Sequence, residues 1–543
     1  MNAECFPIST LPGTSALFRA FCEGAPAEAA ASLAKWYPAD PFHMGWAAKS
    51  PELPVGHREG LADVLKAQAE AFGAGVATFE NIEKLRKGAA AVVTGQQVGL
   101  FGGPLLTLLK AATAVRKAKD ATEATGREHV PVFWLASEDH DLAEVDQVAL
   151  LSKTAVEKLE LGLKAERPVP VGGLPIDAAG TLDNLLDYAC DLFAWGPFAD
   201  TLRESYAAGE TLASSFGKLM TRVFADFGLI VMDAASREFH ALGASALRGA
   251  IEEAEALEEA LFARSAELEA KGFHAQVLVS KGQSLLFLID AETGARQALK
   301  RMADGEWKAG ARTLTTAELL AVLEAEPERI SPNALLRPVF QDTILPTAAY
   351  VGGPAEVAYF AQSAVVYERL LGRITPVLPR LSATLIEPAI GQVMQQHEVA
   401  VQQVWAAKTV DELALRLGAR ALPIEAKRKL AAVGNAMDTE LSALTEYAES
   451  LSAELGKAAG VSASKMRYQM NRLRRMAAQY ELQREASLRK HATAIMLNIL
   501  PDGHLQERWL GGAWYLAKDD GSLVQSLVEH AGLECPGHRV LFL

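Results

Sequence analysis

Two segments of the chain share one design. In each, an apolar run stops abruptly at polar residues or glycines, and a helical pattern follows. The first is Ala91-Val92-Val93, then Thr94-Gly95-Gln96-Gln97, then Gly99, Gly102, Gly103 and Pro104, with a helix through Lys119. The second is Val130-Pro131-Val132-Phe133-Trp134-Leu135-Ala136, closed by Ser137-Glu138-Asp139-His140-Asp141. Residues 228–234 form a third apolar run ending near Asp233, residues 348–351 a fourth meeting Gly352-Gly353-Pro354, and residues 377–382 a last one. Strands alternating with helices predict a largely parallel sheet, whose ligand crevice opens at the carboxyl ends of the strands.

Between these runs the pattern changes twice. Residues 150–227 read as a helical insertion. In residues 245–330 a helix over 245–272 precedes short strands at 276–279, 284–290, 297–300 and 306–309, a small antiparallel meander. The core thus spans 1–149 behind a helical N-terminus, 228–244 and 331–386. From 387 to 500 the spacing of Leu430, Met437, Leu441, Leu444, Ala448 and Leu451, then Met466, Met470, Leu473 and Tyr480, predicts an antiparallel coiled coil. Its turn is expected at Gly456–Gly460, with Glu446 near Arg472 and Glu449 and Glu454 near residues 465–469. Residues 501–543 are expected to return to the core.

At 543 residues the chain is too long for one core. A net charge of −14 argues against a nucleic-acid binder. No run approaches the ~20 apolar residues of a membrane span, and the N-terminus lacks a secretory signal. Cys5, Cys22, Cys190 and Cys535 are scattered, which fits free thiols in a reducing cytoplasm better than a disulfide framework.

The candidate chemistry sits at the strand ends. Glycines at 95, 99 and 103 before a helix let main-chain N–H groups approach an anion, and Thr94, Gln96, Gln97 and Lys110 add polar groups. The alternative is a tight strand–helix turn. His140, between Asp139 and Asp141, could act as a general acid or base. The same cluster could bind a divalent ion, or cap a helix with Glu144. Asn333, Arg337, Gln341 and Asp342 share a helix face; Arg337 suits a carboxylate or phosphate, or an internal pair with Asp342. Gly352, Gly353 and Glu356 repeat the strand–glycine–helix device, and Arg380 and Ser382 end another strand. Antiparallel pairing would bring Lys427 and Arg428 near Arg489 and Lys490, around either core carboxylates or the phosphates of a nucleotide.

These motifs resemble the bacillithiol biosynthesis cysteine-adding enzyme family. The matching pieces are Thr94-Gly95-Gln96-Gln97-x-Gly99-Leu100-Phe101-x-Gly103-Pro104 with Lys110, and Phe133-Trp134-x-Ala136-x-Glu138-Asp139-His140-Asp141. Ser331-Pro332-Asn333-x-x-x-Arg337-Pro338 with Gln341-Asp342, and Tyr350-Val351-Gly352-Gly353-Pro354-Ala355-Glu356, match as well. The resemblance implies an α/β fold: a Rossmann-like core related to nucleotidyltransferases, two connecting insertions and a C-terminal coiled coil that makes a homodimer. It implies a ligase joining the cysteine carboxylate to the amine of glucosaminyl-malate, with ATP as cosubstrate, an adenine nucleotide such as ADP as ligand, and Mg2+ as a companion ion. Gln96, Gln97 and the turn amides would hold an anion, Arg337 a substrate carboxylate, and His140 would take the amine proton. Where that superfamily carries a His-x-Gly-His turn, this chain has Gln96-Gln97. A ligase for another acid and amine, or a dimeric nucleotide-binding scaffold, are the alternatives.

Overall fold

A computed structural model describes residues 2–49, 51–519, 521–532 and 535–543. The chain divides into two compact units. The first comprises Met1–Ser152, Val156–Thr384 and Glu507–Leu541; the second is chiefly Leu385–Gln506.

The first unit is built on a five-stranded parallel sheet. Its strands are β1 (Ala90–Gln96), β2 (His129–Leu135), β3 (Ile230–Asp233), β4 (Thr347–Gly352) and β5 (Val377–Pro379), in the order β5-β4-β1-β2-β3. β1 and β2 pair in register from Ala90–His129 to Gln96–Leu135. All of β2 and β4 is buried, as continuous apolar runs in a sheet covered on both faces must be. Helix α1 (Leu106–Thr125) returns over the sheet, burying Leu108, Leu109, Ala111, Ala112 and Val115. The strand order reverses between β1 and β4, so the crevice falls outside their carboxyl ends.

The last apolar run is not one strand. β5 stops at Pro379, and Ser382–Ile386 is a strand of another sheet, because Arg380 turns inward to a carboxylate. Arg380 Nη1 and Nη2 donate to Glu507 at 3.0 and 2.7 Å, and both partners are buried. Ser382 Oγ lies 3.1 Å from both Glu507 oxygens and 2.7 Å from His538 Nδ1, whose Nε2 lies 2.9 Å from Thr384 Oγ1.

The meander is a five-stranded antiparallel sheet, ordered Arg312–Leu314, Trp307–Ala309, Arg296–Arg301, Gln283–Ile289, Ile330–Pro332. Residues 276–279, expected as a strand, form none. The Gln362 side chain instead binds the N–H and carbonyl of Val277 at 2.9 and 2.8 Å, standing in for a strand neighbour. Helices α2 (Arg237–Leu242), α3 (Ala254–Ala270), α4 (Arg337–Ile344) and α5 (Pro354–Leu371) complete what surrounds the crevice.

The four cysteines are not all free. Cys5 and Cys535 form a disulfide with their Cα atoms 5.9 Å apart, while Cys22 and Cys190 stay reduced. The strands Asn2–Phe6 and His538–Phe542 are sheet neighbours, which brings together two sulfurs 530 residues apart in sequence. Linear spacing carries no trace of that.

In the second unit, α6 (Ile424–Leu451) and α7 (Ala453–Arg484) form the antiparallel hairpin. Its turn lies at Ser452 rather than at Gly456–Gly460. Ser452 alone is extended, and its hydroxyl caps α7 by accepting from Leu455 N at 3.1 Å. The register shifts with it: Arg467 pairs with Asp438 at 2.9 Å, in place of the expected Glu446–Arg472 contact. The buried seam is narrow and of heptad spacing, with Gly434, Leu441 and Ala448 on α6 and Gly456, Ala463 and Met470 on α7. Gly456 is required there, because a Cβ would lie 2.8 Å from Glu449 Cα. Leu444, Leu451, Met466, Leu473 and Tyr480, expected in the seam, are exposed.

Two outcomes test this packing. Gly456→Val should force the two helices apart beside the turn and cost about 1–3 kcal/mol, seen as a lower thermal midpoint of the full chain. Burial holds His538 down at about 4. The unfolded ring takes its proton near pH 6.5, so stability should fall as pH drops from there towards 4, by about 3 kcal/mol. His538→Asn should remove that contribution in urea titrations across this window.

Candidate active site

The carboxyl ends of β1, β2, β4 and β5 open into one cavity of about 620 Å³, lined by Gly95, Gln96, Gln97, Lys110, Glu138, Asp139, His140, Asn333, Arg337, Gly353, Glu356 and Arg380, among others. The cavity thus brings His140, Arg337 and the twin glutamines into one lining. Gly95 lets β1 end in close contact with β2, since a Cβ there would lie 2.8 Å from the Trp134 carbonyl oxygen.

One group of side chains gathers around a buried ammonium. Lys110, one turn into α1, reaches back to donate to Gly95 O and Gln96 Oε1, both at 2.8 Å, and to Glu356 Oε2 at 2.6 Å. Glu356, in the first turn of α5, also accepts from Gly353 N at 2.8 Å and from the Tyr350 hydroxyl at 2.6 Å. Burial would push its carboxyl up, but Lys110, the Gly353 N–H and Tyr350 outweigh this and hold it below the usual range. Arg337 opens α4 and donates to Tyr359 Oη at 2.9 Å and Gln341 Oε1 at 3.0 Å. Among the described residues it pairs with no carboxylate. Arg508 also lines the cavity, beside Glu507 in the chain, and Arg380 Nε is buried with no hydrogen-bond partner among the described residues.

The second group is acidic. Glu138, Asp139 and Glu144 line the cavity beside His140. Asp139 Oδ2 accepts from Gln97 Nε2 at 2.8 Å, and its Oδ1 lies 3.6 Å from His140 Nδ1. Arg296 projects from the antiparallel sheet, stacked 3.7 Å over the Phe287 ring, and its Nη1 lies 2.9 Å from His140 Nδ1. Guanidinium only donates, so Nδ1 is the acceptor and the ring proton sits on Nε2. Burial lowers the Arg296 pKa, against the pull of Glu138 and Asp139. Gln96 and Gln97 therefore join the two groups, one amide facing Lys110 and the other Asp139.

Several expected site residues stand behind the cavity rather than in it. Thr94 is buried and donates to Val351 O at 2.8 Å, tying β1 to β4. Gly99 and Gly103 pack against each other, a Cβ on Gly99 falling 3.1 Å from Gly103 Cα, so they shape the turn. Gly352 ends β4 with no room for a Cβ beside Glu356. Gln341 and Asp342 are fully enclosed. Gln341 supports Arg337 and donates to Asp342 at 2.9 Å, and Asp342 accepts from Tyr367 and Thr375 rather than from Arg337. Ser382 belongs to the buried Glu507 network. Asp141 is exposed and caps the following turn through Glu144 N at 3.3 Å, the capping alternative. Among the described residues no three His, Cys, Asp or Glu side chains group as metal ligands.

In the second unit the basic residues have neighbours other than the expected nucleotide or core carboxylates. Arg489 pairs with Asp411 at 2.6 Å, Lys429 with Glu425 at 2.9 Å, and Lys427, Arg428 and Lys490 are exposed. The helix Val410–Ala421 packs on both α7 and the helix Ala486–Ile499 that carries Arg489, which the two-helix pairing did not foresee.

Sequence reasoning missed Arg296, Tyr350, Tyr359 and Arg508 as lining residues. Arg296 lies in a short strand with no motif around it. Tyr350 and Tyr359 read as apolar core, and only the fold turns their hydroxyls to Arg337 and Glu356.

Comparison with known proteins agrees over the full length. Residues 1–381 match the family model "Bacillithiol biosynthesis BshC, N-terminal Rossmann-like domain", and residues 383–543 match "Bacillithiol biosynthesis BshC, C-terminal coiled-coil domain". A relative from Koribacter versatilis named "Putative cysteine ligase BshC" is 44% identical over all of both chains. Relatives of the same name from Solibacter usitatus and Salinibacter ruber are 37% and 32% identical, over 84% and 94% of each chain. With both family models and the Rossmann-like core in agreement, the chain belongs to the bacillithiol biosynthesis BshC family.

Proposed function

We propose that the chain is a ligase joining the carboxyl carbon of cysteine to the amine of glucosaminyl-malate, the step that completes bacillithiol. One observation carries this reading: a single cavity is lined by Arg508 and by Arg337, which pairs with no carboxylate among the described residues, and also by Glu138, Asp139 and Glu144. An amide-forming enzyme must hold an acid and an amine, of opposite charge, within reach of each other. The name of the relatives, "Putative cysteine ligase BshC", supports cysteine as the acid.

A carboxylate does not condense with an amine unaided. ATP is the proposed cosubstrate and makes a carboxyl oxygen a leaving group, with Mg2+ accompanying its phosphates. The residues present fit such oxyanions: the Arg380 Nε is buried without an acceptor among the described residues, and Arg508 lines the same cavity. Arg337 orients a substrate carboxylate, and Gln96 and Gln97 offer amides between the two groups. His140, with its proton on Nε2, donates a hydrogen bond to the developing oxyanion instead of taking a proton. A second copy of this chain covers the exposed apolar residues of the hairpin, giving a homodimer.

The purified chain with cysteine, glucosaminyl-malate, ATP and Mg2+ should yield bacillithiol by mass detection, and no product would contradict the reading. Arg337→Ala should lower kcat/KM by about 10- to 10²-fold through one lost charged contact. Leu444→Glu with Leu451→Glu should shift sedimentation from dimer to monomer, and an unchanged coefficient would reject the hairpin as the interface.

A further inference from the structure

Behind the acidic group lies a buried pair that the reading above leaves unused. Glu138 follows the end of β2, and its carboxylate is 14% exposed at the cavity wall. Its Oε1 lies 3.1 Å from Nε2 of His240, a side chain on α2 with no exposure at all, packed 5.0 Å from the Phe340 ring. That is ion-pair distance, off the line of a hydrogen bond. The preceding residue makes a parallel tie: the Ser137 hydroxyl donates to Asp233 at the end of β3. Two consecutive side chains thus pin the loop after β2 to the segment after β3. Glu138 is fixed on elements of the sheet, with Oε1 turned inward and Oε2 left for the cavity.

We infer that Glu138 is the carboxylate that recognises the substrate amine and takes its proton, and that His240 is its positioning residue. The inference rests on the ligase reading and adds the base which His140, with Nδ1 facing Arg296, does not supply. In the step, the amine nitrogen forms a bond to the activated acyl carbon. The bond from that carbon to the phosphate-bearing leaving group breaks, the leaving group keeps the electron pair, and the amine proton passes to Glu138 Oε2.

Charge supports the pair. Burial works against an imidazolium at His240, but Glu138 outweighs it and raises the pKa above the ordinary value, with Glu328 adding to this. The other charged groups facing the pair are Asp139 and His140 on the same loop, Asp233 on β3 and Arg296 from the antiparallel sheet. Asp233 is buried and its carboxyl is pushed up by burial, against the Ser137 hydroxyl and Ala235 N–H. With Oε1 held 3.1 Å from His240 Nε2, the other oxygen of Glu138 is the one placed to accept the proton.

The test uses the full chain as wild type, Glu138→Gln, Glu138→Asp and His240→Gln. Calorimetry without nucleotide should show glucosaminyl-malate binding about tenfold or more tighter than its N-acetyl derivative, a preference that Glu138→Gln erases. In the ligation assay Glu138→Gln should lower kcat by about 10²–10⁴-fold, with partial recovery in Glu138→Asp. His240→Gln should lower kcat with KM little changed and move the acid limb of kcat/KM to higher pH. By NMR, the His240 ring should titrate above its usual range in the wild type and below it in Glu138→Gln. A wild type that ligates while Glu138→Gln keeps its rate overturns the inference. If the wild type forms no product, the substrate reading fails separately, and equal binding of amine and N-acetyl ligand, or an unshifted His240, overturns the inference on its own.

Discussion

A single buried ammonium organises the crevice. Lys110 is enclosed in α1, yet its three donors reach the end of β1, the first of the twin glutamines and the carboxylate that opens α5. These elements flank the point where the strand order reverses, so one side chain sets the spacing between the two halves of the sheet there. Removing two charges from water is costly, and such a pair persists only when every donor and lone pair is engaged. Glu356 meets that demand with Lys110, the Gly353 N–H and Tyr350. Tyr350 in turn lies under Arg337. The position of this cavity-lining guanidinium therefore follows from the Lys110 contact.

The cavity gains its two-signed character from what each element leaves unpaired. Arg380 is spent on Glu507 and the Leu381 carbonyl except at Nε, and Arg337 is held by phenols and an amide. On the other side Arg296 is shared between His140 and main-chain and hydroxyl oxygens, so it forms no ion pair with Glu138 or Asp139 among the described residues. The antiparallel sheet, an insertion between β3 and β4, thus contributes the one arginine that fixes the tautomer of His140.

Much of this was legible in the sequence because parallel-sheet strands announce themselves. Continuous apolar runs ending in Thr94-Gly95-Gln96-Gln97 and Ser137-Glu138-Asp139-His140 marked both strand positions and site, since both follow from one rule about strand ends. What the sequence hid was pairing at long range. Nothing near residue 138 points to His240, nothing near 380 to Glu507, and nothing near 5 to Cys535. Gln341, Asp342 and Ser382 show the converse: polar residues next to a site motif turned inward, because buried hydrogen-bonding partners from later in the chain claimed them. The hairpin was found but its turn was misplaced, because glycines at 456 and 460 read as a break. There Gly456 serves close helix contact, and a lone extended Ser452 suffices to reverse the chain.

The most direct measurement is a double-mutant cycle across the central contact, with Lys110→Met, Glu356→Gln and the pair, read by urea unfolding and by ligand affinity. Each single change should cost about 3–5 kcal/mol by stranding a buried charge, and the double change should cost far less than their sum. Additive losses, with affinity falling independently in each variant, would mean that Lys110 and Glu356 do not act as one clamp and that the crevice is organised by something else.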